Sequence, residues 1–433
     1  MLDDHAAVTQ DGALHPDGRG DAAPDLGADE MLEQLFREGR LRVTQTPLVE
    51  IASGQPLAVR LLAHGDDDGV PPARVRALVA ASEQAAFLDE ATRARALAEA
   101  RSAPLLPRAP LVLDAHLSSF SQLTAIADSL EVVLVVDSGD VLERPAEMLR
   151  LVAAARGLGW EVGLRDVGRS AASLAAVAVI EPVLVVLSRR VLDEPTSPLT
   201  VETIQATTAF SHSSGAVVAA EDVADERAEA AAVAAGATLA CGPRYHGRPT
   251  RPPARQVADV LRVPTAAAPV PHRSPFELAA RRYATRRATK PVLVALSQRL
   301  EAVAGPAGTS SLVLAAFQTA EQFTPATQER YRRLAGHSTL VMAAAQDLHG
   351  TGAPGVSTTS LDPSDPLVRE WNVLVLAPTL SVMLAASDLR TPARRQRDRE
   401  FDYVLTHDRD LVAHAARSML GRLTHRAAPP PGR

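Results

Sequence analysis

The chain has 433 residues, 46% of them apolar and 22% charged, with a formal net charge of −6. That length accommodates two ordinary domains, and the acidic balance offers no bulk attraction to nucleic acid or to an anionic membrane surface. Cys241 is the only cysteine, which excludes an intrachain disulfide framework and a Cys-type metal site and fits a reducing, cytoplasmic compartment.

No apolar run approaches the roughly 20 residues of a membrane span. The acidic opening MLDDHAAVTQDGALHPDG lacks the basic and apolar regions of a signal peptide, so neither export nor anchoring is expected. Lys290 is the only lysine and Asn372 the only asparagine. Any mechanism that needs either side chain in the first 280 residues or so is therefore excluded.

Residues 1–28 are polar, rich in Gly, Pro and Asp, and without period, which predicts disorder. From Met31, MLEQLFREG reads as a short helix. Two alternating apolar runs follow, RVTQTPLVEI and PLAVRLLA, broken by Ala52-Ser53-Gly54-Gln55, the signature of a β-hairpin. A long amphipathic helix is predicted over Pro72 to Arg101. Strand-like runs then recur at Leu111–Asp114, Glu131–Asp137, Glu161–Asp166, Val183–Ser188, Ala216–Glu221 and Thr238–Cys241, most of them separated by helical segments.

A hairpin followed by six more strands alternating with helices predicts a parallel sheet closed into a barrel. In such a barrel the chemistry gathers where the strands end. Those ends are Arg60, Asp114, Asp137, Asp166, Ser188 and Glu221. The same residue types cap helices well, so no single one of them identifies a site.

Residues 250–273, within HGRPTRPPARQVADVLRVPTAAAPVPHRSP, are Pro- and Arg-rich and read as a linker. Beyond them a second α/β unit is expected over 274–424. It has helix from Pro291 to Ala304, strand-like SLVLAAF, helix PATQERYRRLAG, strands TLVMAAAQ, WNVLVLAP and FDYVLTHD, and a final helix RDLVAHAARSMLGRL. That makes four or five strands. Trp371 reads as a core anchor, Asp365 as a cap, THDRDL as a helix N-cap with an acidic first turn, and residues 425–433 as a solvated tail.

The order of motifs over 29–249 resembles the cyclic-di-GMP phosphodiesterases named for a Glu-Ala-Leu signature, the EAL family. TPLVEIASGQPLAVRLLAH looks like that family's opening hairpin, LVLDAHLSSF its third strand and EVGLRDVGRSAASL its Asp-Asp-Phe-Gly loop. VVAAEDVADERAEAAAVAAGATLACGPRYHGRP looks like its closing segment. The resemblance implies a modified TIM-like barrel whose strand-end carboxylates and Asn hold Mg²⁺ or Mn²⁺, the ions that activate the attacking water.

Position by position, the same resemblance argues against that activity. The signature Glu corresponds to Arg60, the metal-binding Asn to His116, a later Glu to Val135, and the first Asp of the paired motif to Arg165. The catalytic Lys corresponds to Val186, its nearby Asp to Ser188 and the closing Gln to Cys241. Asp166 and Glu221 survive. A register slip would bring Asp114 or Asp137 to the site but no Lys or Asn. Two guanidinium groups where ligands would stand repel a divalent ion and are expected to pair with the surviving carboxylates instead, so neither a metal nor another cofactor is expected. Arg60, His64, Arg165 and Arg169 are the groups that would contact a phosphate or a partner. Retention of the dinucleotide is disfavoured, because His64 stands where the family carries an Arg and Thr46 where it carries a Gln.

The C-terminal unit resembles the DICT sensory domain, on AAFQTAEQFTPATQERYRRLAG, GAPGVSTTSLDPSDPLVREWNVLVLAP and REFDYVLTHDRDLVAHAARSML. Phe317-Gln318, Tyr331, the Asp362–Trp371 segment and Phe401 carry it. The expected protein is a catalytically inactive EAL-like barrel joined to a sensory module, regulating by ligand or protein interaction, with a signalling protein as the expected partner, in cyclic-di-GMP-related transduction; its Ala-rich helices would support a homodimer. The alternatives are a phosphodiesterase with a rearranged metal site and a metal-free cyclic-di-GMP receptor.

Overall fold

The computed structural model describes residues 35, 39–66, 70–107, 109–117, 130–246, 273–305, 307–349, 353–392 and 394–423. The N-terminal segment 1–28, nearly all of the linker 250–273 and the tail 425–433 lie outside the described residues. So does the helix expected at Met31, apart from Leu35.

Strands β1 (Leu41–Glu50) and β2 (Pro56–Gly65) form the predicted antiparallel hairpin. It turns through Gly54 at φ +69°, a backbone state that costs a glycine nothing. Six further strands follow: β3 (Leu111–Asp114), β4 (Val132–Asp137), β5 (Glu161–Val167), β6 (Leu184–Leu187), β7 (Val217–Ala220) and β8 (Leu239–Ala240). They run parallel from β2 onward, and β8 closes on β1. The expected closed barrel is thus present.

Because both faces of these strands are covered, their sequences are near-continuous apolar runs. Alternate residues divide between two cores. Leu48, Ala58, Val112, Val133, Val135, Val186, Ala219 and Cys241 fill the interior. Leu113, Leu134, Val136, Leu164 and Val185 pack outward against the helices.

The helix expected over Pro72–Arg101 is two helices, Pro72–Ala81 and Ala85–Ser102. Ser82 is extended and its Oγ accepts from the Gln84 amide (3.0 Å). This local side-chain bond competes with the helical ladder, which the apolar period alone does not reveal.

The C-terminal unit has more strands than expected. Seven strands order as β12-β11-β10-β13-β14-β15-β9. They are β9 (Arg286–Thr289), β10 (Leu312–Thr319), β11 (Leu340–Gln346), β12 (Val356–Leu361), β13 (Glu370–Leu376), β14 (Ser381–Asp388) and β15 (Glu400–Thr406). Three of these, β9, β12 and β14, are additions to the expected set. β9 and β12 are the two edges, where basic RRAT and polar VSTTSL carry little apolar signal. β14 pairs antiparallel with β13 in a hairpin and is buried along its middle, Val382 to Ala386.

The sheet also divides its residues by face. Leu312, Leu314 and Ala316 pack with the helices Pro275–Arg282 and Arg409–Leu420 in a cluster continuous with the barrel's outer core. Val313, Ala315 and Phe317 pack with the helices Lys290–Ala304 and Pro325–Ala335. Asp408 caps Arg409–Leu420 and Asp365 caps a short turn at Pro366–Arg369, both as expected. Among the described residues no helix is long and apolar enough to cross a membrane.

Candidate functional site

The period-2 alternation that puts Val133 and Val135 inside the barrel also aims the next interior residue, Asp137, at the end of β4. The same step takes Val112 to Asp114 on β3 and Ala219 to Glu221 after β7. On β2 it takes Ala58 to Arg60, and on β5 it takes Gly163 to Arg165. The barrel's apolar plug therefore ends in a layer of charge.

Arg60 is 1% exposed. Its Nε donates to Glu221 Oε1 (2.6 Å) and its Nη2 to Asp114 Oδ1 (2.7 Å). Arg76, from the helix Pro72–Ala81, donates to the other Asp114 oxygen (3.3 Å). Arg165 bridges Asp137 Oδ2 (3.0 Å) and Asp166 Oδ2 (2.9 Å), with its Nε 3.6 Å from Asp114 Oδ1. Asp137 Oδ1 also accepts from Arg169 Nη2 (3.3 Å) and the Gly139 amide (2.8 Å). A Cβ on Gly139 would lie 2.7 Å from Arg169 Nη2, so glycine there leaves room for that contact.

Four arginines thus interlock with four carboxylates, and the layer is formally neutral. Burial alone would destabilise the charged Arg60, but Asp114 and Glu221 outweigh it and its pKa is raised. Burial would likewise raise the Asp114 carboxyl; the surrounding Arg60, Arg76 and Arg165 bring it down to about 2. Arg165 is also raised, its carboxylates offsetting desolvation. Asp140 moves the other way, pushed up by burial and by Asp137. Asp166 adopts φ +59°, a left-handed state that Asp tolerates better than most residues.

The remaining sequence candidates fall in three places. Val135 and Val186 lie in the apolar interior together with Cys241, whose thiol is pushed up by burial and by Glu221. His116 lines a cavity of about 130 Å³ that also borders Arg76, Asp114, Asp137 and Arg165. His64 stands apart from the charged layer, bonded through Nε2 to Thr44 Oγ1 (2.6 Å) and through Nδ1 to Gly65 O (2.5 Å). Arg76 and Gly139 were not singled out by the sequence. Asp114 and Asp137 were visible as strand ends, and the alternation of β3 and β4 carries the signal that both face inward. Among the described residues no three His, Cys, Asp or Glu side chains are grouped to hold a metal ion.

A closed barrel of this strand order, with strand-end charge at one rim, is the architecture of the EAL class. The chain belongs to the EAL domain family, which it matches over residues 29–249. The barrel is followed by a DICT domain, the sensory domain in diguanylate cyclases and two-component systems, matched over residues 276–389. No curated protein matches the chain.

Among solved structures, the chain is similar to the S helix-GGDEF-EAL portion of Vibrio cholerae LapD bound to c-di-GMP. There the identity is 14% and the TM-score 0.43, over 50% of this chain and 55% of that one. The Xanthomonas citri FimX EAL domain in complex with c-di-GMP gives 18% and 0.41, over 52% of this chain and 94% of that one. A Klebsiella pneumoniae BlrP1 manganese/c-di-GMP complex gives 18% and 0.41, over 47% and 54%. The chain spans about half the length of the LapD and BlrP1 chains.

Proposed function

We propose that this protein is a non-catalytic member of its family. In this reading the barrel, residues 29–249, and the sensory unit, residues 274–424, act together in cyclic-di-GMP-related signal transduction by contact with a protein partner. The observation that carries the reading is the pairing of Arg60 with both Glu221 and Asp114. A phosphodiesterase of this family needs its strand-end carboxylates concentrated and open to a divalent ion. Here each carboxylate of the layer already faces a guanidinium, so an ion would have to displace buried cations to reach its ligands. The donor set does not fit a divalent ion.

Water activation also lacks a base below the layer. Val135, Val186 and Cys241 form apolar wall there. Binding of the dinucleotide without cleavage draws little support from the charges either, because Arg60 and Arg165 direct their guanidinium groups at carboxylates and His64 is bonded to Thr44 and Gly65.

The test is hydrolysis of cyclic-di-GMP by the full chain with Mg²⁺ or Mn²⁺, followed by separation of the linear product. The expected result is no turnover. Turnover that disappears in Asp166→Ala would overturn the reading, and calorimetric titration with cyclic-di-GMP, with and without metal, separates a receptor from a protein-binding module.

A further inference from the structure

A second cavity, of about 200 Å³, opens on the face of the C-terminal sheet that does not share the barrel's core. One wall is aromatic: Phe317 from β10, Trp371 from β13 and Phe401 from β15. Trp371 was expected as a core anchor. It is instead only partly buried, edge-on to Phe401 with ring centroids 6.0 Å apart, and its indole Nε1 is buried without a hydrogen-bond partner. Ser297, 4% exposed on the facing helix Lys290–Ala304, has an equally unpartnered Oγ. Buried donors are nearly always satisfied, so two at one cavity ask for an acceptor.

The charges around this cavity make the same request. Arg330 is matched by Glu301 (2.9 Å) and Arg399 by Asp388. Lys290 has no ion pair among the described residues. Its Nζ donates to Gln322 Oε1 (2.9 Å), which leaves two N–H groups. Gln318, held at φ +59°, turns its Oε1 to Arg399 rather than to Lys290. The cavity thus has an aromatic wall, unmet donors and one uncompensated positive charge. A neutral aromatic would leave Lys290 unmatched, and a bare phosphate would leave the rings unused. The volume falls below the roughly 300–1,000 Å³ of pockets for drug-sized ligands, which limits the occupant to about one ring and a short acidic arm.

We propose that this cavity binds a small aromatic carboxylate, with its ring against Phe317, Trp371 and Phe401 and its carboxylate on Lys290. The assignment deepens the sensory reading of the C-terminal unit and rests on it only for biological meaning, since binding is measured without any assay of the barrel. Burial and the nearby Arg399 lower the pKa of Lys290, a repulsion that a bound carboxylate relieves.

Trp160 and Trp371 are the only tryptophans, so full-length Trp160→Phe reports on the cavity through the fluorescence of Trp371 alone. Titration with benzoate, 4-hydroxybenzoate and phenylacetate should give a saturable change for at least one acid at about millimolar concentration or below. Benzamide, which keeps the ring and loses the charge, should bind at least tenfold more weakly. Lys290→Met should cost at least tenfold for the acid while leaving benzamide unchanged, and Lys290→Arg should restore most of the loss. Unchanged circular dichroism of the Lys290 variants excludes misfolding, and calorimetry on the unmodified chain gives a second readout. No saturable response to any of the three acids, or equal binding of acid and amide, or equal binding by Lys290→Met, would overturn the assignment.

Discussion

Arg60 is a buried cation whose two anions come from distant parts of the chain, Asp114 at the end of β3 and Glu221 after β7. Removing one partner of a buried pair leaves uncompensated charge, so Arg60→Met should cost about 3–5 kcal/mol of stability in denaturant unfolding. Adding Glu221→Gln should return part of that loss, because the stranded anion is gone. Asp114 makes the layer acid-sensitive. Its folded pKa, about 2, lies below its ordinary 3.8, so the stabilisation is fully present above about pH 4 and is lost as pH falls through 2. That is on the order of 2 kcal/mol, and the Arg60→Met variant should show a shallower acid limb. That charged side chains, Arg60 among them, stand at the strand ends was legible in the sequence. The partners were not. Which carboxylate meets which guanidinium depends on barrel closure and on Arg76, whose helix gives no sign that it leans over β3.

At the scale of elements, β5 ends at Val167 and the residue after it must be glycine for a physical reason. Gly168 sits at φ +93°, and a Cβ there would lie 2.4 Å from Val191 Cγ2 and 2.9 Å from Thr203 Cγ2. Gly168→Ala should therefore destabilise by about 1–3 kcal/mol, whereas Gly157→Ala, with nothing within 4 Å, should stay within about 0.5 kcal/mol of the parent. A second element-level device joins the helix Pro275–Arg282 to β13. Glu370, 3% exposed, accepts from Ser274 Oγ, the Phe276 amide (3.1 Å) and Asn372 Nδ2 (2.9 Å). Burial pushes its pKa up to about 7 against these bonds. The native state therefore holds a proton that the unfolded chain releases near its ordinary 4.5, and stability should decline from about pH 4.5 to 7 and level off beyond. Glu370→Gln should flatten that slope in thermal melts taken across the range. Composition foretold none of this, since Ser274 was visible only as the first residue after a linker. The edge strands β9 and β12 escaped for the opposite reason: strands partnered on one side need little apolar surface, and theirs is basic or hydroxylated.

For the molecule as a whole, the two units are joined by more than the segment between them. The final helix Arg409–Leu420 buries Arg417, 4% exposed, against the C-terminal end of the barrel helix Ala171–Ile180. Its Nη1 donates to Val179 O (3.1 Å) and pairs with Glu181 Oε2 (2.9 Å). Glu181 ends that helix in the left-handed state, φ +51°, and Arg156 donates to the Ile180 and Glu181 carbonyls from the other side. These are the helix-terminal carbonyls that have no intrahelical partner, and cations there are favoured by the helix dipole. Arg156 and Arg417 nevertheless repel, which together with burial lowers the pKa of Arg156. A cavity of about 480 Å³ lies between them. Ser310 Oγ to Glu202 Oε1 (2.6 Å) and the Ala146 amide to Leu423 O (3.3 Å) complete the seam. Among the described residues the same apolar cluster runs through both units, so the seam is a contiguous packed path between them. Arg417→Met keeps the apolar stem and removes the charge. It should leave each unit folded but uncoupled, so the single cooperative melt expected of the parent divides into two transitions by calorimetry. A variant that still melts in one transition at an unchanged midpoint would mean that the shared apolar core alone couples the units, and that Arg417 merely satisfies the end of a helix.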